Sequence, residues 1–172
     1  MMLTGKEIKN RQGGDIIITP FNEKRLNPNS YNLRLGKKLK VYSGNILDIK
    51  KNNKYTVLAI PDDGMIIWPG KLYLGQSMEY TETRNLIPKI DGRSSIARLG
   101  ISIHSTAGFG DIGFCGFWTL EISCIEPIKI YPGIEICQVY YETALGEIEN
   151  YVSDKYQNNT GVQTSKIYKE FI

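Results

Sequence analysis

Histidine occurs once in this chain of 172 residues, at position 104, and cysteine only at 115, 124 and 137. No two cysteines have Cys-x-x-Cys spacing, and no glutamate lies two residues after His104. A zinc site of the kind that activates water with a histidine and a cysteine pair is therefore excluded. An odd number of cysteines without paired spacing is read most simply as reduced thiols in a cytoplasm-like compartment. No apolar run approaches the roughly 20 residues of a membrane-spanning helix, and Met1–Lys6 lacks the apolar core of a signal peptide. The expectation is a cytoplasmic protein without a membrane partner. Net charge is only +3, a weak hint of an anionic ligand. Lys37, Lys38 and Lys40, then Lys50, Lys51 and Lys54, are read as solvated strand ends and turns, so no nucleic-acid partner is expected. Internal repeats and long linkers are also missing. At 41% apolar and 23% charged residues, the composition is that of one folded domain able to bury a core.

Helix signals are few. Thr4-Gly5-Lys6-Glu7 has capping-box spacing, and Gly13-Gly14 closes the run. Short strand candidates follow at Asp15–Thr19, Tyr31–Leu35, Lys40–Tyr42, Ile46–Ile49, Tyr55–Ile60, Met65–Trp68 and Lys71–Tyr80. Ile128–Tyr131 and Glu135–Tyr141 add two more, and Gly and Pro punctuate throughout. This pattern predicts an all-β sandwich or barrel.

The chemistry is concentrated between Gly92 and Glu121. Arg93-Ser94-Ser95 opens a short helical run that Gly100 stops, an arrangement suited to a phosphate. A strand is predicted over Ile101–Thr106, then a glycine-rich hairpin, Gly108–Gly113, then a strand over Phe117–Ile122. Period-two alternation places Phe117, Thr119 and Glu121 on one face, with Trp118, Leu120 and Ile122 on the other. The segment from Ser153 onward is polar, with a lysine, aromatics and amides before an apolar group of Ile167, Tyr168 and Phe171. It reads either as a frayed end or as a flap over a ligand.

These motifs, in this order, resemble the dCTP deaminase branch of the trimeric dUTPase superfamily. Leu3–Ile8 resembles the family's opening helix and Asn27–Gly36 its N-terminal signature. Gly92–Gly100 resembles the phosphate and active-site motif, His104–Ala107 the next, Thr119-Leu120-Glu121 the catalytic strand, and Lys155-Tyr156 with Gly161 the closing segment. The resemblance implies a distorted jelly roll, or β-clip, with one or two short helices. Residues 1–152 would form the β domain and 153–172 its closing tail, assembled as a homotrimer with active sites between subunits.

The implied reaction is zinc-independent hydrolytic deamination of dCTP to dUTP and ammonia, in the supply of dUMP and dTTP precursors. A bifunctional enzyme that also cleaves the triphosphate to dUMP and pyrophosphate is the alternative, which the Gly108–Asp111 hairpin favours; a plain dUTPase and a catalytically silent nucleotide sensor are further ones. In the family's pattern Glu121 is the general base and acid, with a basicity raised in a partly dry pocket. The Ala107 carbonyl and the Ser94 hydroxyl hold the attacking water, and Arg98 fixes the carboxylate. Arg93, Ser95 and Lys155 take the triphosphate, with Mg2+ as its companion, and Asp111 accepts from the 3′-hydroxyl. Thr119, Leu120, Gln138 and Tyr151 complete the substrate contacts, and dTTP is an implied feedback inhibitor. Asn159 stands where most members carry a glutamine that contacts the phosphates from the tail, and Gln157 is an alternative for that phosphate contact. Read without the resemblance, Asp111 is a turn residue, Arg98 a helix-surface charge and Glu121 an edge-strand charge; His104 is read as a packed or interface histidine rather than a proton shuttle.

Overall fold

The Thr4 hydroxyl accepts from the Glu7 amide at 3.3 Å, and helix α1, Gly5–Arg11, begins there. Gln12 ends it, and Gly13 turns the chain away at a φ of +86°. A Cβ on Gly5 would stand 2.0 Å from the Asn27 carbonyl oxygen, so only glycine lets the helix start lie against the Asn27-Pro28 turn. These positions come from a computed structural model that describes residues 1–149, 151–153 and 155–172.

The strands after α1 are β1, Ile16–Thr19, β2, Tyr31–Arg34, β3, Lys38–Tyr42, β4, Tyr55–Ala59, and β5, Met65–Ile67. The long β6, Tyr73–Thr83, and β7, Leu86–Gly92, lead into the four-residue helix α2, Ser94–Ala97. Then come β8, Ile101–Ile103, β9, Cys115–Cys124, β10, Ile128–Ile130, and β11, Glu135–Thr143. One sheet has the order β4-β3-β6-β9-β8, with β1 also on β6. A second has the order β2-β11-β7, and β5 pairs with β10. All these ladders are antiparallel. Ile18, Leu33, Ile67, Ile90, Leu120, Ile122, Ile130 and Val139, drawn from all three sheets, belong to one buried cluster. The fold is all-β, a distorted jelly roll with two short α-helices among the described residues. Its three cysteines are free thiols. Among the described residues no helix is long and apolar enough to cross a membrane.

Two segments differ from the sequence expectation. Ile46–Ile49 is not a strand. Asp48 and Asn53 take up the local backbone groups: the Asp48 amide donates to Asn53 Oδ1 (2.9 Å), the Lys50 amide to Asp48 Oδ1 (3.0 Å), and Asn53 Nδ2 to the Asp48 carbonyl (2.9 Å). Side chains that satisfy the backbone locally compete with a ladder, and Ile46, Leu47 and Ile49 stay exposed. Conversely, Leu86–Gly92 forms β7 despite Pro88. It is an edge strand of its sheet, where a missing N–H is tolerated.

Two boundaries also shift. The strand predicted over Ile101–Thr106 stops at Ile103, because His104 has a φ of +51°. The glycine-rich segment is part of a longer connection stitched to β7: the Ile90 amide donates to the Gly108 carbonyl (2.6 Å) and the Gly110 amide to the Pro88 carbonyl (2.9 Å). A Cβ on Gly108 would come within 2.3 Å of the Ile90 oxygen. The glycines are what let this loop approach so closely.

Candidate active site

Strand β9 alternates as its sequence predicts. Trp118, Leu120, Ile122 and Cys124 are buried, while Phe117, Thr119 and Glu121 are half-buried on the opposite face. That second face floors a cavity of about 420 Å³. The glycine-rich connection supplies one wall through Ala107, Phe109 and Asp111, and the tail another through Tyr156, Asn159 and Gln163. Tyr151 also lines it, its amide held by the Ile112 carbonyl at 2.8 Å. Leu120 is fully buried and lines neither this cavity nor the smaller cleft described below.

The Glu121 carboxylate retains 37% side-chain exposure, and its neighbour is His104, with Nδ1 3.7 Å from Glu121 Oε2. Proximity of the imidazole holds the Glu121 carboxyl below its ordinary value, and partial burial works in the opposite direction. The expectation of a raised basicity is therefore not met in this arrangement, because the carboxylate is only partly dry and a cation-capable ring faces it. The separation exceeds a hydrogen bond, and among the described residues both buried ring nitrogens of His104 lack a hydrogen-bond partner.

A second cleft, of about 190 Å³, is lined by Asn27, Asn32, Arg93, Ser94, Ser95 and Gln138. It lies at the start of α2, where Arg93 is the capping residue and both serines are exposed. Gln138 is fixed from both ends: Nε2 donates to the Gly92 carbonyl (3.0 Å), and Oε1 accepts from the Ser30 hydroxyl (2.7 Å).

The structure thus divides the anticipated residues. Glu121, Ala107, Asp111, Thr119, Tyr151 and Asn159 line the larger cavity. Arg93, Ser94, Ser95 and Gln138 line the smaller one, and Arg98 and Lys155 line neither. Arg98 is exposed at the end of α2. Lys155 pairs with Glu170, and its carbonyl accepts from Lys166 Nζ.

The tail is not a frayed end. It runs along the part of β9 that the short β8 leaves uncovered. The Asn158 amide donates to the Cys115 carbonyl (2.9 Å), and the Gln163 amide to Thr119 Oγ1 (3.0 Å). Gln157 Oε1 accepts from the Cys115 amide (3.1 Å), and Asn159 Oδ1 from the Phe117 amide (3.3 Å). Both amide side chains flagged for a phosphate contact are engaged here in holding the tail to β9.

Sequence reasoning did not select Asn27 and Asn32 as site residues. The available signal was an asparagine between Tyr31 and Leu33 of β2, where Asn32 is 5% exposed. Gln163 and Tyr156 were missed as well, since nothing in a polar tail says which strand it will lie against.

Residues 2–144 match the family described as dCTP deaminase-like. A curated protein of Hathewaya histolytica named "dCTP deaminase, dUMP-forming" is 61% identical over 171 residues, covering 99% of each chain. A Clostridium acetobutylicum protein of the same name is 59% identical over 172 residues, covering 100% of this chain and 99% of that one. A crystal structure of 2'-deoxycytidine 5'-triphosphate deaminase from Agrobacterium tumefaciens superposes with a TM-score of 0.67 at 19% identity, covering 83% of this chain and 48% of that one. At that identity the likeness concerns the fold.

Proposed function

This chain belongs to the dCTP deaminase-like family, and from that premise we propose that it hydrolyses dCTP to ammonia, dUMP and pyrophosphate. One observation carries this reading: relatives near 60% identity, aligned over essentially the whole of both chains, bear the dUMP-forming name. Release of dUTP, the leading expectation from sequence, gives way to the bifunctional alternative on that ground.

In this reading Glu121 takes a proton from water as the water attacks C4 of cytosine, then delivers protons to N3 and the leaving amine. A carboxylate held below its ordinary pKa is ionised and ready to accept. The Ala107 carbonyl and the Ser94 hydroxyl position the water, and Arg98 orients the carboxylate and favours developing charge. Arg93, Ser95, Gln138 and Lys155 receive the triphosphate, with Arg93 supplying a planar fork of donors and Lys155 a point charge. Asp111 receives the 3′-hydroxyl, Thr119, the Leu120 backbone and Tyr151 close around base and sugar, and Asn159 is the tail's phosphate contact.

Ser94 and Glu121 lie in separate clefts of one protomer, which supports assembly of the complete site between subunits. A homotrimer in which one subunit's Arg93–Arg98 segment meets its neighbour's Glu121 cavity satisfies this geometry. Mg2+ neutralises the triphosphate it accompanies. The smaller cleft offers neutral amides, hydroxyls and one arginine, a lining that suits an ion held by phosphate oxygens rather than by a protein cage. Feedback binding of dTTP to the same clefts and a cytoplasmic location complete the proposal.

The test is incubation with dCTP and Mg2+ followed by separation of products. Ammonia, dUMP and pyrophosphate in equal amounts are expected. Accumulating dUTP would overturn the diphosphatase half, and unchanged dCTP the whole.

A further inference from the structure

Below the smaller cleft, charged side chains alternate in sign from the core to the surface. Glu79 on β6 is fully buried and accepts from the Arg34 amide (2.8 Å) and from Arg34 Nε (2.6 Å). Arg25 stands between two carboxylates, with Nη1 3.9 Å from Glu79 Oε1 and Nε 3.6 Å from Glu135 Oε1. Glu135 Oε2 accepts from Asn32 Nδ2 at 2.8 Å and lies 3.6 Å from Arg93 Nη2. Arg93 Nη1 then donates to the Glu135 carbonyl at 2.8 Å. A bulge in the β11–β2 register between Glu135 and Cys137 aims both the carboxylate and the carbonyl of Glu135 at that guanidinium.

We infer that Glu135 is a positioning residue for the triphosphate, holding the Arg93 guanidinium in its binding orientation. The inference rests on the proposed role of Arg93. An arginine on the cleft wall loses rotamer freedom when it engages an anion, and a guanidinium already held at two points loses less. The remaining donors of Arg93 are left for phosphate oxygens. Glu135 is in turn fixed by Arg25 and Asn32, and Arg25 is backed by the buried Glu79, so the orientation is referred to the core rather than to a mobile surface.

Two physical roles for Glu135 predict opposite signs. As a bare negative charge beside the cleft it opposes anion binding, and its removal strengthens affinity for dCTP. As a positioning group its removal weakens affinity, although the cleft becomes more positive. Glu135→Gln separates them, because it keeps shape and an acceptor for Asn32 while removing the charge.

The experiment measures kcat and KM for dCTP with saturating Mg2+ for Glu135→Gln, Glu135→Asp, Arg25→Gln and Arg93→Ala. For Glu135→Gln we expect KM to rise about 5- to 20-fold with kcat within a factor of about two, the pattern of lost ground-state binding. Glu135→Asp, which keeps the charge, should recover at least part of the loss. Arg25→Gln, which loosens Glu135 from behind, should give a smaller rise in KM and decides the question if the Glu135 variants do not fold. An unchanged or lowered KM in Glu135→Gln, or in Arg25→Gln if it has to decide, would overturn the inference; so would a fall in kcat alone. If Arg93→Ala raises KM and Glu135→Gln does not, only this inference fails. If Arg93→Ala leaves KM unchanged, the phosphate reading of Arg93 fails first.

Discussion

His104 Nδ1 stands 3.7 Å from Glu121 Oε2, on a residue held at a φ of +51° with neither ring nitrogen hydrogen-bonded among the described residues. Positive φ is uncommon for residues other than glycine, and His and Asn are among those enriched there. The imidazole is thus presented to the carboxylate by an unusual backbone turn at the end of β8. Its effect is to keep Glu121 ionised to lower pH.

The sign of that effect is testable. His104→Asn retains a residue tolerant of this backbone and removes the imidazole. Partial burial, which raises the Glu121 pKa, is then unopposed by the ring. Glu121 should become protonated at higher pH, and the acid limb of the kcat/KM profile should move upward. A limb that stays in place or moves down would show that His104 does not govern this carboxylate.

Glu121→Gln should lower turnover by roughly 10²–10⁴ through loss of the base. Shape and hydrogen-bonding capacity are preserved, so dCTP should still bind in an equilibrium assay. A variant that deaminates at near the wild-type rate would remove Glu121 from the mechanism.

How far these assignments were legible in sequence differs by element. The alternation of β9 is plain because one face of that strand joins the core and the other does not. α2 ends at Ala97 with Arg98 as its cap, slightly before the sequence stops it, and Gly100, at a φ of +82°, turns the chain into β8. The loop over Ile46–Ile49 was not legible, since its apolar residues look like a strand and only the Asp48–Asn53 bonds forbid one. β7 was hidden by Pro88, which is harmless only on an edge. The separation of Ser94 from Glu121 was equally invisible, because sequence distance says nothing about which cleft a residue lines. The charge relay through Arg25, Glu79 and Glu135 draws on three distant segments and has no local signature.

Stability should respond sharply to Arg34. Glu79 is fully buried, and Arg34 supplies both its close contacts. Arg34→Met removes the guanidinium but leaves the carboxylate in the core, a change worth about 3–5 kcal/mol. Combining it with Glu79→Leu should recover much of the loss, since the buried charge is then gone. Chemical denaturation of the single and double variants checks both statements; a single variant as stable as wild type contradicts them.

Metal dependence should follow the substrate. Among the described residues no group of three His, Cys, Asp or Glu side chains gathers to hold an ion. Protein treated with a chelator and dialysed should therefore regain full turnover with Mg2+ alone, and elemental analysis should find substoichiometric zinc. One tightly bound equivalent of zinc would require a different source for the attacking water.

The tail offers the widest test, because it is at once bonded along β9 and part of the cavity wall. Its hold on β9 consists mainly of hydrogen bonds at Cys115, Phe117 and Thr119. Val162 is its one deeply buried apolar residue among those described. Further along, the Ser165 amide donates to the Tyr42 hydroxyl at 2.8 Å, and Lys50 lies over the Phe171 ring at 5.4 Å. Such a segment can leave without emptying the core, yet its loss opens the floor around Glu121 to bulk water and weakens the electrostatics there. Deleting residues 153–172 should therefore depress turnover by about 10² or more, while circular dichroism and the unfolding midpoint of the β domain change little. A milder variant, Gln157→Ala with Asn159→Ala, should loosen the tail, and trypsin should then cut at Lys155 and Lys166 faster than in the wild type. Binding of dCTP to the Glu121→Gln protein should slow that cleavage, since remote phosphate contacts supply the energy that holds the lid shut. A truncated protein with full activity, or cleavage indifferent to nucleotide, would make the tail a mere edge strand of the sheet.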